Sequence, residues 1–336
     1  MKALVIEGPK TAVIQEVPYP TPGEKEVTIR VKRCGICGTD FHIYQGEFLS
    51  PYPLIPGHEF SGVVEEVGPG VTQFTKGDRV AVDPSLFCGE CEFCLTHRGN
   101  HCVNWGATGD TVNGALAEFV KVPAQNVFKL SNDLSFAAGA MIEPLACVVH
   151  GVNRLELKVG QSVLIFGAGS MGQLLTQALS RAGAGELVVV DVDQSKLDVA
   201  LAHGATAGYL SQNIDQALSH RVGHAGFDVV IDVTGIPAVI ETEFKYVAPT
   251  GTFMQFGVAP EKSSVSINPF DVYHKDLRII GSMAINRTYG AAVNWINAGR
   301  FDIDSLISTV VSLEEIPALL EGGKASNVMK IQVSFD

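Results

Sequence analysis

The chain has 336 residues, 46 % apolar and 18 % charged, enough material for two ordinary globular domains with large cores. Its formal net charge is −12 and it contains no run of Lys or Arg, which excludes the basic stripe of a nucleic-acid binder. No uninterrupted apolar stretch approaches the roughly 20 residues of a transmembrane helix. The opening MKALVIEGPK is too short and broken to read as a signal peptide, so a soluble cytoplasmic protein without membrane contact is expected.

The first third reads as β-rich. Short runs such as Val27–Val31 alternate apolar and polar residues, and Pro/Gly clusters at Pro18–Gly23 and Pro51–Gly57 bound them. Gly62–Gly68 and Gly77–Val82 continue the pattern, which predicts a compact barrel-like β domain with long loops. Most of the seven cysteines sit in this part: Cys34 and Cys37, then four between residues 88 and 102, while Cys147 stands alone. In a long cytosolic chain such crowding points to metal ligation rather than to disulfides.

Cys88, Cys91, Cys94 and Cys102 form the most specific local pattern. Four thiolates close a tetrahedral zinc site and leave no position for substrate, so this ion would staple a loop that has little core of its own. His101 is a possible substitute ligand, and an iron–sulfur cluster also takes four cysteines, although the spacing is not the ferredoxin run. A second set is scattered: Cys34-Gly35-Ile36-Cys37-Gly38-Thr39-Asp40-Phe41-His42, then Gly57-His58-Glu59, then Glu143-Pro144-Leu145. A catalytic zinc keeps three protein ligands and one open position, which Cys37, His58 and a carboxylate would satisfy. Cys34 and Cys37 also read as a C-x-x-C redox pair, but the thioredoxin-like βαβ context is missing.

Near residue 155 the pattern changes to strand–helix alternation. Val163–Phe166, Leu187–Val190, Phe227–Ile231, Thr252–Phe256 and Leu277–Ile280 read as buried strands, with Ala207–Leu210 as a sixth. Gln173–Arg181 and Ser195–His203 have helical spacing between them. This predicts a doubly wound parallel sheet of the Rossmann type. Val163–Phe166 runs directly into Gly167-Ala168-Gly169-Ser170-Met171-Gly172, a G-x-G-x-x-G turn in its proper strand-to-helix context. Gly167 permits the tight turn, Gly169 lets the backbone approach a pyrophosphate, and Gly172 lets the helix pack close. The helix N-terminus offers free N–H groups to the phosphates.

Asp191, 19 residues past Gly172, ends the second strand. A carboxylate there accepts hydrogen bonds from the adenosine ribose and repels the 2′-phosphate of NADP. At ~4 Å that repulsion amounts to about 1–4 kcal/mol between bulk and surface dielectric. Asp193 adds to it and no Arg follows, so NAD is the expected coenzyme. Lys196 is the nearby cation that works against this preference, and with Ser170 and Met171 it completes the candidate coenzyme-binding set. Beyond Gly281, a helix over Tyr289–Ala298 and a strand over Met329–Val333 are expected to return to the first domain.

Together these motifs, in this order and over essentially the whole chain, resemble the zinc-dependent medium-chain alcohol dehydrogenase family. Glu143-Pro144-Leu145 is similar to its sorbitol (polyol) dehydrogenase branch. The resemblance implies a GroES-like β-barrel catalytic domain, residues 1–154 with 285–336, and a Rossmann NAD-binding domain, residues 155–284. It implies two zinc ions per subunit, one structural on the four-cysteine lobe and one catalytic. Cys37 and His58 would hold the catalytic ion, Glu59 and Glu143 compete for the third ligand role, and Cys34 matches a non-ligand position. Thr39 would take the substrate proton and pass it through the nicotinamide ribose to His42. The implied partner is a small-molecule alcohol or ketone, with the chain assembled as a homodimer or homotetramer, often through the edge of the nucleotide-binding sheet.

Sorbitol dehydrogenases carry an Arg-Tyr pair beside the substrate, where Ala284 and Ile285 stand here, with Arg287 displaced. Other polyols, sugar acids, threonine, 2,3-butanediol and simple secondary alcohols therefore stay open as substrates. A non-catalytic nucleotide-binding relative would have no need of an intact Cys37/His58/Glu143 set. A zinc-free quinone-reductase-like enzyme would lack Cys37, His58 and the four-cysteine lobe.

Overall fold

The computed structural model describes residues 1–47, 50–222, 225–323 and 328–335. Its strands in chain order are β1 (Lys2–Gly8), β2 (Thr11–Glu16), β3 (Glu26–Ile36), β4 (Glu59–Val67), β5 (Arg79–Val82), β6 (Ser85–Leu86), β7 (Gly106–Ala107), β8 (Phe119–Pro123), β9 (Val127–Lys129), β10 (Ser162–Phe166), β11 (Glu186–Asp191), β12 (Ala207–Leu210), β13 (Phe227–Asp232), β14 (Val247–Gln255), β15 (Arg278–Gly281), β16 (Ile307–Val311) and β17 (Lys330–Ser334). The chain divides into two compact units, Met1–Ala146 with Ile285–Asp336, and Cys147–Ala284. The first division falls inside the helix Ile142–Leu155, eight residues ahead of the 154/155 border expected from composition.

In the first unit, β16, β17, β3, β4, β5 and β9 lie side by side, and β8 pairs with β3. The 11-residue β3 is the spine. Its first half pairs with β8 and its second half with β17, both antiparallel, while β4 runs along its other edge. Alternation along these strands turns Val27, Ile29, Val31, Phe60, Val64, Val80 and Val333 into one core, closed by Leu116, Leu313 and Ile316. The C-terminal strand thus becomes part of a sheet begun by residue 26. Its register sets Ile331 opposite Ile36, and β4 sets Glu59 opposite Gly35.

The second unit is a six-stranded, all-parallel sheet in the order β12-β11-β10-β13-β14-β15. All six expected strands form. Leu187 to Val190 are at most 2 % exposed, as strands covered on both faces require. β14 begins at Val247 rather than at Thr252, because the chain turns through Thr250 (φ 63°) and resumes pairing with a register shift. The order reverses between β10 and β13, so the loops after these strands flank the topological switch point. Among the described residues, no helix is long and apolar enough to cross a membrane.

One buried acid in this unit affects stability. Glu243 is fully buried beside the buried carboxylate of Asp232. Burial, then repulsion by buried Asp232, pushes its carboxyl up to about 9. A folded-state value above the unfolded one means that the folded protein holds a proton the unfolded chain releases. Stability is therefore undiminished below about pH 4.5 and falls progressively as pH rises from there toward 9. Glu243→Gln is expected to remove this loss, raising unfolding free energy at pH 8 by about 1–3 kcal/mol. Urea titrations of both proteins at pH 5 and pH 8 check it; equal gains at both pH values would contradict it.

Candidate metal centre and coenzyme turn

The first candidate site grows from the end of β3. Cys37 caps the helix Gly38–Gln45, and its backbone N–H donates to Asp40 Oδ2 at 2.7 Å. Asp40 is fully buried, and burial pushes its carboxyl up to about 6 against the opposing pull of His58 and the Cys37 N–H. Cys37 Sγ lies 3.7 Å from Thr39 Oγ1. His58 and Glu59 enter from the start of β4, behind Gly57. That glycine has φ 95°, and a Cβ there would meet Cys34 Sγ and Leu116 at 2.8 Å, so only glycine fits the turn. Cys34, fully buried against this turn, serves as packing.

The ligand atoms of Cys37, His58 and Glu59 all lie within 4.8 Å of one another. His58 Nδ1 is 3.2 Å from Asp110 Oδ1, at ion-pair distance but outside hydrogen-bond angles. Burial works to lower the imidazole's proton affinity, yet Asp110 and Cys37 outweigh it and hold the His58 pKa well above its ordinary value. Glu143, in the first turn of helix Ile142–Leu155, is buried nearby but falls outside the 4.8 Å group. Burial first, then Glu59 and Asp110, push its carboxyl up to about 8, against His58 and Lys330. A buried cluster that holds this many anionic donors, and draws a proton onto its one imidazole, fits a divalent cation. His42 is half-buried in the same helix as Thr39, with Nδ1 2.8 Å from Glu47 Oε2.

Two buried residues of this site carry no local sequence mark. Asp110 is delivered to His58 because Gly109 (φ 91°) packs against Gly57, where any Cβ would sit 2.4 Å from the Gly57 carbonyl oxygen. Lys330, 3 % exposed, places Nζ 2.7 Å from both Glu59 oxygens. Burial alone would strip its proton; Glu59, Cys37 and Glu143 reverse that and keep it a cation.

The four-cysteine lobe forms a second group. The Sγ atoms of Cys88, Cys91, Cys94 and Cys102 lie within 4.8 Å of one another, with Cys88–Cys94 and Cys91–Cys102 at 3.9 Å. Tetrahedral zinc with bonds near 2.3 Å needs sulfur–sulfur separations of about 3.8 Å, so the donor set fits that ion. Backbone N–H groups of Cys88 and Asn104 point at Cys102 Sγ, at 3.3 and 3.4 Å, and suit thiolate there. His101 is exposed and outside the group, with its ring near Phe93.

In the second unit, the G-x-G-x-x-G turn follows β10. Gly167 has φ 104°, and its N–H reaches the Val190 carbonyl at 2.8 Å. A Cβ on Gly172 would meet the Gly167 oxygen at 1.9 Å, so the third glycine is a packing requirement. Space around Gly169 is open, and this residue caps the helix Ser170–Ala182. Ser170 and Met171 form that helix's first turn. Asp191 accepts from the Ala168 and Asp193 N–H groups at 2.7 and 3.0 Å, which ties the second strand's end to the glycine turn. The Lys196 carbonyl accepts from Gln173 Nε2 at 2.8 Å. Ala284 and Arg287 both adopt positive φ, Ile285 is 1 % exposed and Arg287 is exposed.

Comparison with known proteins shows the family. Residues 23–132 match the family model of the alcohol dehydrogenase GroES-like domain, and residues 170–298 match that of zinc-binding dehydrogenases. D-arabinitol dehydrogenase 1 of Uromyces fabae is 32 % identical over 99 % of this chain and 97 % of its own length. D-xylulose reductase A of Aspergillus niger is 30 % identical over 99 % and 96 %. A crystal structure of a zinc-binding dehydrogenase from Sinorhizobium meliloti 1021, bound to NADP, superposes with a TM-score of 0.95 at 34 % identity, covering 99 % of this chain and 98 % of that one. The chain belongs to the zinc-dependent medium-chain dehydrogenase family and has its two-domain fold, a GroES-like domain and a Rossmann-like parallel sheet.

Proposed function

We propose that the protein oxidises a secondary alcohol of a polyol or sugar-derived substrate to the ketone, reversibly, with zinc and NAD. The observation that carries this reading is the pairing of an incomplete donor set, Cys37, His58 and Glu59, with a separate closed set of four cysteines. A three-donor group leaves room for substrate, whereas a four-thiolate group does not. The polyol class is supported by the relatives that act on D-arabinitol and D-xylulose and by Glu143 beside the donor set.

Cys37 and His58 would hold the catalytic ion, with Glu59 or Glu143 as third donor. When bound, zinc supplies Lewis acidity toward an alcohol oxygen, and the nicotinamide accepts the hydride. Asp110 orients the His58 ring. Thr39, beside Cys37, would receive the hydroxyl proton, and half-buried His42, held by Glu47, would return it to solvent. Gly167, Gly169 and Gly172, with the N–H groups of Ser170 and Met171, would hold the pyrophosphate of the coenzyme, and Asp191 and Lys196 would face its adenosine ribose.

A panel of D-arabinitol, xylitol, sorbitol, 2,3-butanediol, threonine and ethanol, followed by reduced-coenzyme absorbance, tests the reading. The highest kcat/KM is expected on a polyol, and activity confined to ethanol would sink it. The coenzyme is tested separately, because the Sinorhizobium relative was crystallised with NADP. Asp191→Ala is expected to lower the NAD-over-NADP ratio of kcat/KM by about 10-fold or more. An unchanged ratio would remove Asp191 from coenzyme selection.

We further infer that the chain works in the cytoplasm as a homodimer or homotetramer. Seven cysteines without a disulfide suit a reducing compartment. β15 is an open sheet edge on which Ile279 is 45 % exposed, within the region expected to serve assembly.

A further inference from the structure

The C-terminal strand carries a residue that the proposed reaction does not yet use. β17, Lys-Ile-Gln-Val-Ser, is buried along most of its length, and its first residue is a lysine only 3 % exposed. A buried ammonium persists only with close partners. Lys330 has them: both Glu59 oxygens at 2.7 Å and the Ile36 carbonyl at 3.4 Å. Gly35 of β3 is paired with Glu59. A Cβ there would fall 2.1 Å from Glu59 Oε2 and 3.1 Å from its Cβ, so the carboxylate fills space that only a glycine at this position leaves open. Glu59 thus packs against the glycine of one strand and is bonded to the ammonium of another, with its ligand atom still within 4.8 Å of those of Cys37 and His58.

We propose that Lys330 is a positioning residue for the metal centre: it fixes the Glu59 carboxylate by both oxygens and offsets its negative charge, so that an ion beside Cys37 and His58 meets less uncompensated anionic charge. The consequence is chemical. Each uncompensated anion beside a metal raises its affinity and dulls its Lewis acidity, because the ion's charge is spent on the protein rather than on the substrate oxygen. A compensated Glu59 leaves the ion more acidic and more weakly held. The segment that completes the centre is therefore supplied by the last strand, some 270 residues from Glu59.

This inference rests on the reading of Cys37 and His58 as metal holders, and the experiment separates the two. Wild type, Lys330→Met and Lys330→Arg are stripped of metal and titrated with Zn²⁺ against a chromophoric chelator. They are also loaded with Co²⁺, whose visible bands report the ligand field. Wild type is expected to bind two ions, the weaker at the Cys37 centre. Lys330→Met is expected to bind that ion about 10-fold or more tightly and to shift its cobalt bands; Lys330→Arg, which keeps the charge, is expected to stay within about threefold of wild type with unshifted bands.

Wild type with a single ion would overturn the metal-centre reading and this inference with it. Two ions in wild type, with Lys330→Met binding no tighter than wild type, would overturn this inference alone. If Lys330→Met fails to fold, Lys330→Arg decides, and a folded Arg variant that loses the Cys37-centre ion would also overturn it.

Discussion

Cys37→Ala and His58→Ala are each expected to lower kcat/KM for alcohol oxidation by about 10³-fold or more while NADH still binds. The two residues reach the site from different elements, a helix N-cap and the start of β4, and meet because β3 and β4 are paired antiparallel at Gly35 and Glu59. Loss of either leaves a two-donor group with buried charge around it. Lewis-acid stabilisation is worth several kcal/mol of barrier, and 1.36 kcal/mol is tenfold in rate. The coenzyme turn lies in the other compact unit and keeps its own hydrogen bonds, Gly167 N–H to Val190 and Ala168 N–H to Asp191. NADH fluorescence titration beside steady-state kinetics checks both halves. Retained turnover would remove the metal assignment, and lost NADH binding would show that the variant had merely unfolded.

Cys94→Ser or Cys102→Ser is expected to release one zinc per chain and to melt the lobe, with a large drop in thermal stability. The lobe buries little of its own. Leu95 and Val103 are 67 % and 68 % exposed, and Cys94 and Cys102 are among its few buried side chains. With so little apolar burial, ordering this backbone depends on the ion, and structural zinc binding supplies about 10 kcal/mol or more in small domains. Metal analysis together with limited proteolysis checks it. Cleavage is expected first between residues 88 and 102, and a serine variant that keeps two zinc ions and resists protease would contradict it.

Much of this molecule is legible from the chain because its signals are local. The six strands of the parallel sheet announce themselves as short β-branched runs, and β10 leads directly into the glycine turn. The four-cysteine lobe lies within 15 consecutive residues, so spacing alone brings the thiols together. Cys37, His58 and Glu59 were found by motif order, and register explains why they converge.

What stayed hidden is long-range. Asp110 reaches His58 through the packing of Gly109 against Gly57, and Lys330 reaches Glu59 from the far end of the chain, since no pattern within ten residues marks either. Asp40 reads as an ordinary helix residue until its carboxylate is seen capping the Cys37 N–H. Glu243 beside Asp232 is invisible for the same reason, because a buried acid in a helix has the same sequence appearance as a solvated one.

The most direct test of zinc-dependent polyol oxidation is a depletion-and-return measurement of NADH formation on D-arabinitol or xylitol. Purified protein is dialysed against a chelator until the Cys37 centre is empty but the four-cysteine lobe retains its ion, as verified by metal analysis. Activity is expected to disappear at one zinc per chain and to return in proportion to added Zn²⁺ up to two. Full NADH formation by the one-zinc protein would contradict the account.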